Sequence, residues 1–289
     1  MPEISLIIFQ VLNGLIWGVI IALLAVGLNL IYGLLNIVNV AQGALFMVGA
    51  YIAWLAVTYI GSFFIGLVIA PLVVGVVGLT VERTVLRPLA KSPELTIIAT
   101  IGLMLMLEQG ALWLFGGDVR SVASPIDFTV PIAGMFYPGF RIFVALVAVL
   151  VLVGLWIFLQ KTQYGLWTRA VKFSPSIASA FGVPTDRVIA LTFGIGAGLA
   201  ALGGVLASPI VNVRPDMGLD VLITVFIIVI VGGLGNLLGS VVAAVLMTTS
   251  EGLAGIFTSP TNARMISLIA LTLIVLRWPD GIGAKGDKR

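Results

Sequence analysis

The chain has 289 residues, of which 60% are hydrophobic and only 9% are charged, and its formal net charge is +3. A soluble domain carries roughly 25% charged residues, so this composition excludes a water-exposed surface and indicates an integral membrane protein. The sequence has no cysteine and no histidine, which excludes disulfides, thiol chemistry, Cys/His metal sites and histidine-based catalysis.

Apolar segments follow one another along the whole chain. A helix needs about 20 residues to cross a bilayer, and a spanning segment must be a helix or part of a closed barrel. The segments lack period-2 alternation, so we predict an all-α fold: a polytopic transmembrane helical bundle of about eight or nine spans, as one membrane-embedded domain over 1–289. The approximate ranges are 5–34, 44–60, 63–81, 95–116, 141–160, 188–210, 219–234, 238–257 and 263–277.

Three amide side chains, Asn36, Asn39 and Gln42, separate the first two segments and are followed at once by Gly43. An amide without a partner in hydrocarbon costs on the order of 4–8 kcal/mol. On a continuous helix the three amides would share a face and could join two helices, with Gly43 allowing close approach. Alternatively, the helix is broken here and the amides line a polar path that offers donors and acceptors to a solute. Both interpretations are open from the residues alone.

A glycine-rich stretch, GGLGNLLG at 232–239, separates two later apolar segments and contains Asn236. Four glycines in eight residues do not favour a continuous helix. Gly43 and Gly239 are each followed by two apolar segments and then by Val-Leu-Arg, which ends at Arg87 and Arg277. Both units would end on the same side of the membrane, so the sequence indicates a weak parallel internal repeat. Transporters built from repeats place substrate sites near interrupted helices.

Basic residues fall into two sets of loops, and the positive-inside rule assigns the larger set to the cytoplasm. We therefore expect a multi-pass protein of the cytoplasmic (inner) membrane, with the N-terminus outside, the C-terminus inside and an odd number of crossings. The larger set contains eleven residues: Arg83, Arg87, Lys91, Lys161, Arg169, Lys172, Arg187, Arg277, Lys285, Lys288 and Arg289. The smaller set contains Arg120, Arg141, Arg214 and Arg264.

The long loop at about 161–187 contains the pattern of a short helix. Ser174 can cap it and Pro175 suits its first position. Gly182 can end it in the left-handed conformation. The loop lies on the side predicted to be cytoplasmic, so this helix would stand in water.

The predicted loop helix is amphipathic, because Ile177, Ala178 and Phe181 would fall on one face. This apolar face either rests on the protein's own helices or lipid headgroups, or docks a cytosolic partner. Basic neighbours such as Arg169 would help to orient an acidic groove of that partner.

Two carboxylates, Glu108 and Glu251, lie within apolar segments. Such a group is either a protonated or hydrogen-bonded acid that helps helices to pack, or a proton site of a secondary carrier. The sequence has no G-x-x-x-x-G-K-[ST] motif, the phosphate-binding loop of many ATPases. The energy for transport would therefore come from a partner or from an ion gradient. No paired Asp/Glu motif falls within a span, which argues against an enzyme.

Four stretches resemble the LivH-type permeases, the membrane subunits of branched-chain amino acid ABC importers. They are GLNLIYGLLNIVNVAQGALFMVGAY, VERTVLRPLAKSPELTIIATIGLMLMLEQGALWLFG, RAVKFSPSIASAFGVPTDRVIALTFGIGAGLAALGGVL and LIVLRWPDGI. The resemblance covers nearly the whole chain. It implies translocation of branched-chain amino acids, driven by ATP on two cytosolic ABC ATPase subunits, so that this chain binds no cofactor. The other implied partners are a second homologous permease and a periplasmic solute-binding protein; membrane lipid surrounds the chain and no nucleic acid is expected.

The resemblance also implies roles for individual residues. The implied substrate pathway contains Asn36, Asn39, Gln42, Gly43 and Asn236, and the implied ATPase-coupling residues are Arg169, Ser174, Pro175, Ile177, Ala178, Phe181 and Gly182. No metal site is implied.

The chain departs from the family pattern at two places. Such permeases often have a histidine at the position of Gln42 and an acidic pair where this chain has Lys172, Phe173 and Ser174. The first departure bears on the solute, and urea or short-chain amide importers with closely similar permeases are the alternative. The second bears on which ATPase is accepted.

Overall fold

A computed structural model describes residues 4–90, 92–132 and 134–277. Lys91 and the tail residues Lys285, Lys288 and Arg289, which entered the charge comparison, lie outside the described residues. The described chain is helical almost throughout. Seven of its helices are long and apolar enough to cross a membrane, and a further apolar helix of 16 residues, Met217–Gly232, is shorter. The prediction of an all-α polytopic bundle is confirmed.

Each of the nine predicted apolar segments coincides with a helix, while the antiparallel hairpin β1–β2 was not predicted. π-Helical turns extend α2 over Ala56–Ile60 and join α3 to α4 over Glu82–Leu86. The elements are α1 (Ile4–Leu35), α2 (Gln42–Leu55), α3 (Phe63–Val81), α4 (Arg87–Leu89), α5 (Pro93–Phe115), β1 (Thr129–Ile132), β2 (Met135–Pro138), α6 (Gly139–Lys161), α7 (Gln163–Phe173), α8 (Pro175–Ala180), α9 (Thr185–Ala207), α10 (Met217–Gly232), α11 (Leu237–Ala254) and α12 (Pro260–Arg277).

Helix α1 lies at the centre of the bundle. Its run from Ile20 to Ala25 is fully buried, and it packs against α6, α9, α10 and α11. A helix that is apolar on every side is expected to be buried on every side. By contrast, α3, α5 and α6 leave most of their apolar surface exposed, as helices that face lipid do.

Small residues on α9 allow its backbone to approach α1 and α2 closely. A Cβ atom on Gly196 would lie 2.8 Å from the Gly27 carbonyl oxygen, and one on Gly204 would lie 1.9 Å from that of Phe46. Small residues at such crossings maximise van der Waals contact where lipid supplies no hydrophobic driving force between helices.

The contacts also fix helix directions. Gly196 and Gly203 of α9 meet Gly27 and then Ile20 of α1, in descending order. Gly196 and Gly204 meet Gln42 and then Ala50 of α2, in ascending order, so α2 runs antiparallel to α1. Gly14 and Gly33 of α1 meet Thr248 and Gly235 respectively, so α11 also runs antiparallel to α1. Helices α2 and α11 therefore run in the same direction, as a parallel repeat requires, although the repeat itself stays a prediction.

The described basic residues of the two sets lie at opposite ends of the bundle. At one end, which we call the coupling end, Arg87 donates to the Asp186 carbonyl oxygen at 2.8 Å and Lys172 donates to that of Gly235. At the other end, Arg120 forms an antiparallel bridge with Val213. The two groups predicted from the sequence are therefore also separate in the fold.

Candidate translocation path and coupling surface

The first helix break separates α1 from α2. Asn36 follows the last residue of α1 with a φ of 52°, a left-handed conformation that asparagine tolerates better than most residues. The chain is then non-helical until Gln42, the first residue of α2. Of the two interpretations of the amide cluster, the broken helix is therefore the one that the fold adopts.

Two of the three amides, Asn39 and Gln42, are buried deep in the bundle. The Gln42 side chain donates to the carbonyl oxygen of Gly196, at the midpoint of α9, with an N–O distance of 3.0 Å. Asn39 donates to Gln42 Oε1 at 3.2 Å, and its own Oδ1 accepts from the Ala41 N–H at 3.2 Å. Both side chains are almost fully buried, whereas Asn36 is exposed. Each buried amide keeps hydrogen-bonding capacity beyond these contacts.

Gly43 has a packing role at this break. A Cβ atom there would lie 2.2 Å from the Gly218 carbonyl oxygen, so the start of α2 touches the start of α10 backbone to backbone. Any side chain at Gly43 would push the two helices apart.

The second break, residues 233–236, separates α10 from α11. Gly233 and Gly235 have φ values of 93° and 80°, which other residues rarely adopt. Asn236 caps α11, because its Oδ1 accepts from the Gly239 N–H at 3.0 Å. Asn236 is half-buried, and its side chain serves the backbone of its own break.

Asn29 on α1 holds the second break, and it is not among the site residues predicted from the sequence. It is fully buried. Its Nδ2 lies 3.0 Å from the Gly233 carbonyl oxygen, 2.9 Å from that of Asn236 and 2.7 Å from Ser240 Oγ. Its Oδ1 accepts from the Gly235 N–H. The feature that could have identified Asn29 from the sequence is that it is an isolated amide within the apolar run LNLIYG.

Both breaks meet the same turn of α1. Gln42 of the first break lies against Gly27, where a Cβ atom would come within 2.8 Å of its Nε2, and Asn29 holds the second break. Residues two apart on an α-helix point about 200° apart, so the breaks lie on roughly opposite sides of α1. Of the predicted pathway residues, the fold brings Asn39, Gln42 and Gly43 together and sets Asn236 across α1 from them.

The predicted loop helix is present as α8. Ser174 Oγ accepts from the Ile177 N–H at 3.4 Å, Pro175 occupies the first position, and Gly182 has a φ of 80°. These three local predictions are confirmed. The short helix α7 precedes α8, and Lys172 and Phe173 belong to its last turn.

The apolar residues that the sequence predicts on one face of this helix differ in burial. Ala178 is buried in a cluster with Leu34, Val171 and Val188. Phe181 is 84% exposed and Ile177 is 53% exposed. The apolar group that remains open to the surroundings is therefore Ile177 with Phe181.

Hydrogen bonds tie α7 to its neighbours in the bundle. Arg169 donates to the Leu159 carbonyl oxygen of α6 at 2.6 Å, and Lys172 donates to that of Gly235 in the second break at 3.1 Å. Tyr164 bonds Thr192 of α9 at 2.7 Å, and burial raises its pKa, so its hydroxyl remains neutral. A displacement of α7–α8 would thus be transmitted to α6, α9 and the second break.

A second connection at the coupling end joins α3 to α9. Arg87 donates to both carboxylate oxygens of buried Glu82, at 3.2 and 2.9 Å, and to the Asp186 carbonyl oxygen. A bidentate pair of this kind has a fixed geometry. It sets the end of α3 against the start of α9.

The intramembrane carboxylates occupy different helices, Glu108 in α5 and Glu251 in α11. Glu108 lines a cavity of about 340 Å³ together with Asp216, and its Oε1 has no hydrogen-bond partner among the described residues. Within the described ranges no group of three or more acidic residues could hold a metal ion.

These features define a class: a polytopic helical membrane protein with two interrupted segments around a central helix and an apolar surface helix at one end. The chain belongs to the family described as branched-chain amino acid transport system / permease component, whose sequence model matches residues 10–276. The expectation of a LivH-type permease is confirmed.

Relatives in this family match nearly full length. The chain is 28% identical to the high-affinity branched-chain amino acid transport system permease protein LivH of Salmonella typhimurium and 29% identical to LivH of Escherichia coli (strain K12), over 94% of both chains in each case. It is 28% identical to the corresponding protein BraD of Pseudomonas aeruginosa, over 98% of this chain and 97% of that one. No solved structure matches.

Proposed function

We propose that the chain is a permease subunit of a binding-protein-dependent ABC importer and carries branched-chain amino acids across the cytoplasmic membrane. Full-length similarity to LivH and BraD supports the solute class. The observation that carries the mechanism is the hydrogen bond from Lys172 of α7 to Gly235, which joins a surface element to an interrupted segment inside the bundle.

The proposed partners are a second homologous permease, two cytosolic ABC ATPase subunits and a periplasmic solute-binding protein. The chain itself performs no chemistry and binds no cofactor; ATP is bound and hydrolysed on the partners. The coupling end is placed in the cytoplasm, because the described basic residues of the larger set lie there. The N-terminus is then outside and the C-terminus inside.

In this mechanism α8 receives the movement of the ATPase through Ile177 and Phe181. When α7 moves, its hydrogen bond from Lys172 displaces the 233–236 break, and the hydrogen bonds of Asn29 displace α1 in turn. Because Gln42 lies against the same turn of α1, the 36–41 break responds as well. The result is alternating access, in which the two breaks open in turn to the two sides.

The docking role is tested with Phe181→Asp in the complete complex. A charge at an apolar contact should abolish co-purification of the ATPase subunits while the permease still inserts in the membrane. Phe257→Asp is the matched control, because Phe257 is 72% exposed and lies in the turn after α11, at the end opposite α8. Equal ATPase recovery with both variants would remove the docking role.

One vesicle uptake assay distinguishes the proposed function from two alternatives. A urea or short-chain amide importer is the alternative for the solute, since Gln42 replaces a histidine that LivH-type permeases often have. A proton-coupled carrier is the alternative for the energy source, favoured by the unpartnered Glu108 oxygen in its cavity. Vesicles with the whole complex, ATP and labelled leucine should show uptake, whereas vesicles with this chain alone and a pH gradient should show none. Uptake of urea instead of leucine, or uptake by the chain alone, would favour the respective alternative.

A further inference from the structure

A groove runs along the outside of α1 between α6 and α11, and it holds two adjoining cavities. The cavity at the coupling end has a volume of about 140 Å³ and includes Asn29, Gly33, Arg169 and Lys172 in its lining. The cavity next to it has a volume of about 230 Å³ and is lined entirely by apolar residues, among them Trp156.

The two cavities are successive parts of one groove. Both contain Leu237 in their lining. On α1 the floor passes from Val26 in the apolar cavity to Leu30 in the cavity at the coupling end, which is one helical turn. On α6 the wall passes from Leu155 to Leu159, again one turn. The apolar part therefore leads away from the coupling end towards the middle of the spanning helices.

The coupling-end part of the groove is basic. Arg169 and Lys172 each donate one hydrogen bond to a backbone carbonyl, so the guanidinium and the ammonium retain further donors. Gln160 and Thr168 add neutral polar groups, and none of the described residues that line this cavity is acidic. Two positive charges without a carboxylate between them attract a compact anion.

We infer that this groove binds one anionic phospholipid, with its phosphate at Arg169 and Lys172 and an acyl chain in the apolar part. Basic pockets between transmembrane helices on the cytoplasmic side bind anionic lipid headgroups in other membrane proteins. A soluble anion would leave the apolar part unfilled. A zwitterionic lipid would add a cationic group beside the two basic side chains.

The bound lipid would contact the coupling machinery directly. Lys172 also donates to Gly235 of the second break, and Asn29, which holds that break, lines the same cavity. The phosphate would hold α7 against the break, so uptake by the complex would depend on anionic lipid. Only this consequence rests on the proposed function; the lipid site itself does not.

Native mass spectrometry of the full-length chain, titrated with palmitoyl-oleoyl phosphatidylglycerol, tests the site. We expect one tightly held phosphatidylglycerol per chain and at least tenfold weaker retention of phosphatidylcholine. Glycerol 1-phosphate, which has the phosphate but no acyl chain, should not compete at millimolar concentration. Equal retention of the two lipids, or competition by glycerol 1-phosphate, would overturn the inference.

Variants then locate the lipid on the chain. The double variant Arg169→Gln/Lys172→Gln should weaken phosphatidylglycerol binding at least tenfold. The matched control Arg83→Gln/Arg187→Gln removes the same charge from exposed basic residues of the coupling end that do not line the groove, and binding should stay within twofold. Equal binding by the two double variants would exclude this groove.

A third variant and a cross-link complete the test. Leu238→Trp leaves the basic residues in place and fills the apolar part, so it should also release the lipid even if the double variant folds poorly. In the assembled complex, a photoreactive residue at position 238 should cross-link to lipid, whereas a cross-link to a partner subunit would show that protein covers the groove. Loss of uptake with lipid still bound would count against the proposed function alone.

Discussion

The two helix breaks solve the same physical problem in different ways. Each exposes backbone groups inside an apolar bundle, where an unpaired polar group is costly. At the 36–41 break the amides are local: Asn39 bonds Gln42 and the Ala41 N–H, and Gln42 bonds the Gly196 carbonyl oxygen of α9. The 233–236 break depends on Asn29, which lies more than 200 positions earlier in the chain.

The difference affects how each break can move. The first break is joined to α9 by the bond from Gln42 to Gly196 and to α5 by the bond from the Val40 N–H to Thr100, and none of its described hydrogen bonds reaches α7. The 233–236 break is fixed to α1 on one side by Asn29 and to α7 on the other by Lys172, so it moves only when those elements move. We therefore propose that the second break receives the movement and that the first break contacts the solute.

The largest effect on the comparison of the two breaks is expected from Asn29→Leu. The change removes every Asn29 contact with the second break, although the Gly233 and Asn236 carbonyls keep backbone donors. Because a buried polar group without a partner costs about 1–3 kcal/mol, we expect a loss of roughly 3 kcal/mol of stability. Thermal unfolding in detergent measures it. Asn262→Leu, at an exposed amide of α12, is the control, and equal melting temperatures for the two variants would contradict the assigned role.

The next largest effect is expected from Gly43→Ala. The new Cβ atom would overlap the Gly218 carbonyl oxygen, and overpacking of this kind costs about 1–3 kcal/mol. Gly154→Ala is a suitable control, because a Cβ atom there meets no atom within 4 Å. Unfolding curves of the two variants should separate clearly, and a Gly43 variant as stable as the control would mean that the α2–α10 contact is looser than described.

Asn39→Leu should act on transport more than on stability. It deprives Gln42 Oε1 and the Ala41 N–H of their partner, for a loss of about 1–2 kcal/mol that the assembled complex should survive. Leucine uptake in vesicles should fall, because the first break would lose a buried amide that a solute could contact. Normal uptake would reduce Asn39 to a packing role.

The smallest effect is expected from Tyr164→Phe, which removes the hydroxyl that links α7 to α9. A single hydrogen bond contributes about 1 kcal/mol. Hydrogen exchange of the backbone should increase at 233–239, since α7 contacts that break, and should stay unchanged at 36–43. A similar increase at both breaks would mean that they are not mechanically distinct.

The local features of the chain were accessible from the sequence. Apolar length predicted every spanning helix, since hydrocarbon imposes one length scale on all of them. The cap at Ser174 and the left-handed Gly182 depend only on neighbouring residues, and both were predicted correctly. The β1–β2 hairpin was missed because its strands have only four residues each and alternate weakly.

The sequence by itself determined that this protein lies in a membrane, which segments form its long apolar helices, and which basic residues share an end of the bundle. Only the tertiary structure decided that Asn29 holds the second break, that both breaks meet one turn of α1, and that Ala178 faces inward while Phe181 does not. The physical reason is that composition and helical periodicity act over a few residues, whereas the partner of a buried polar group is chosen by packing between helices that are distant in the chain.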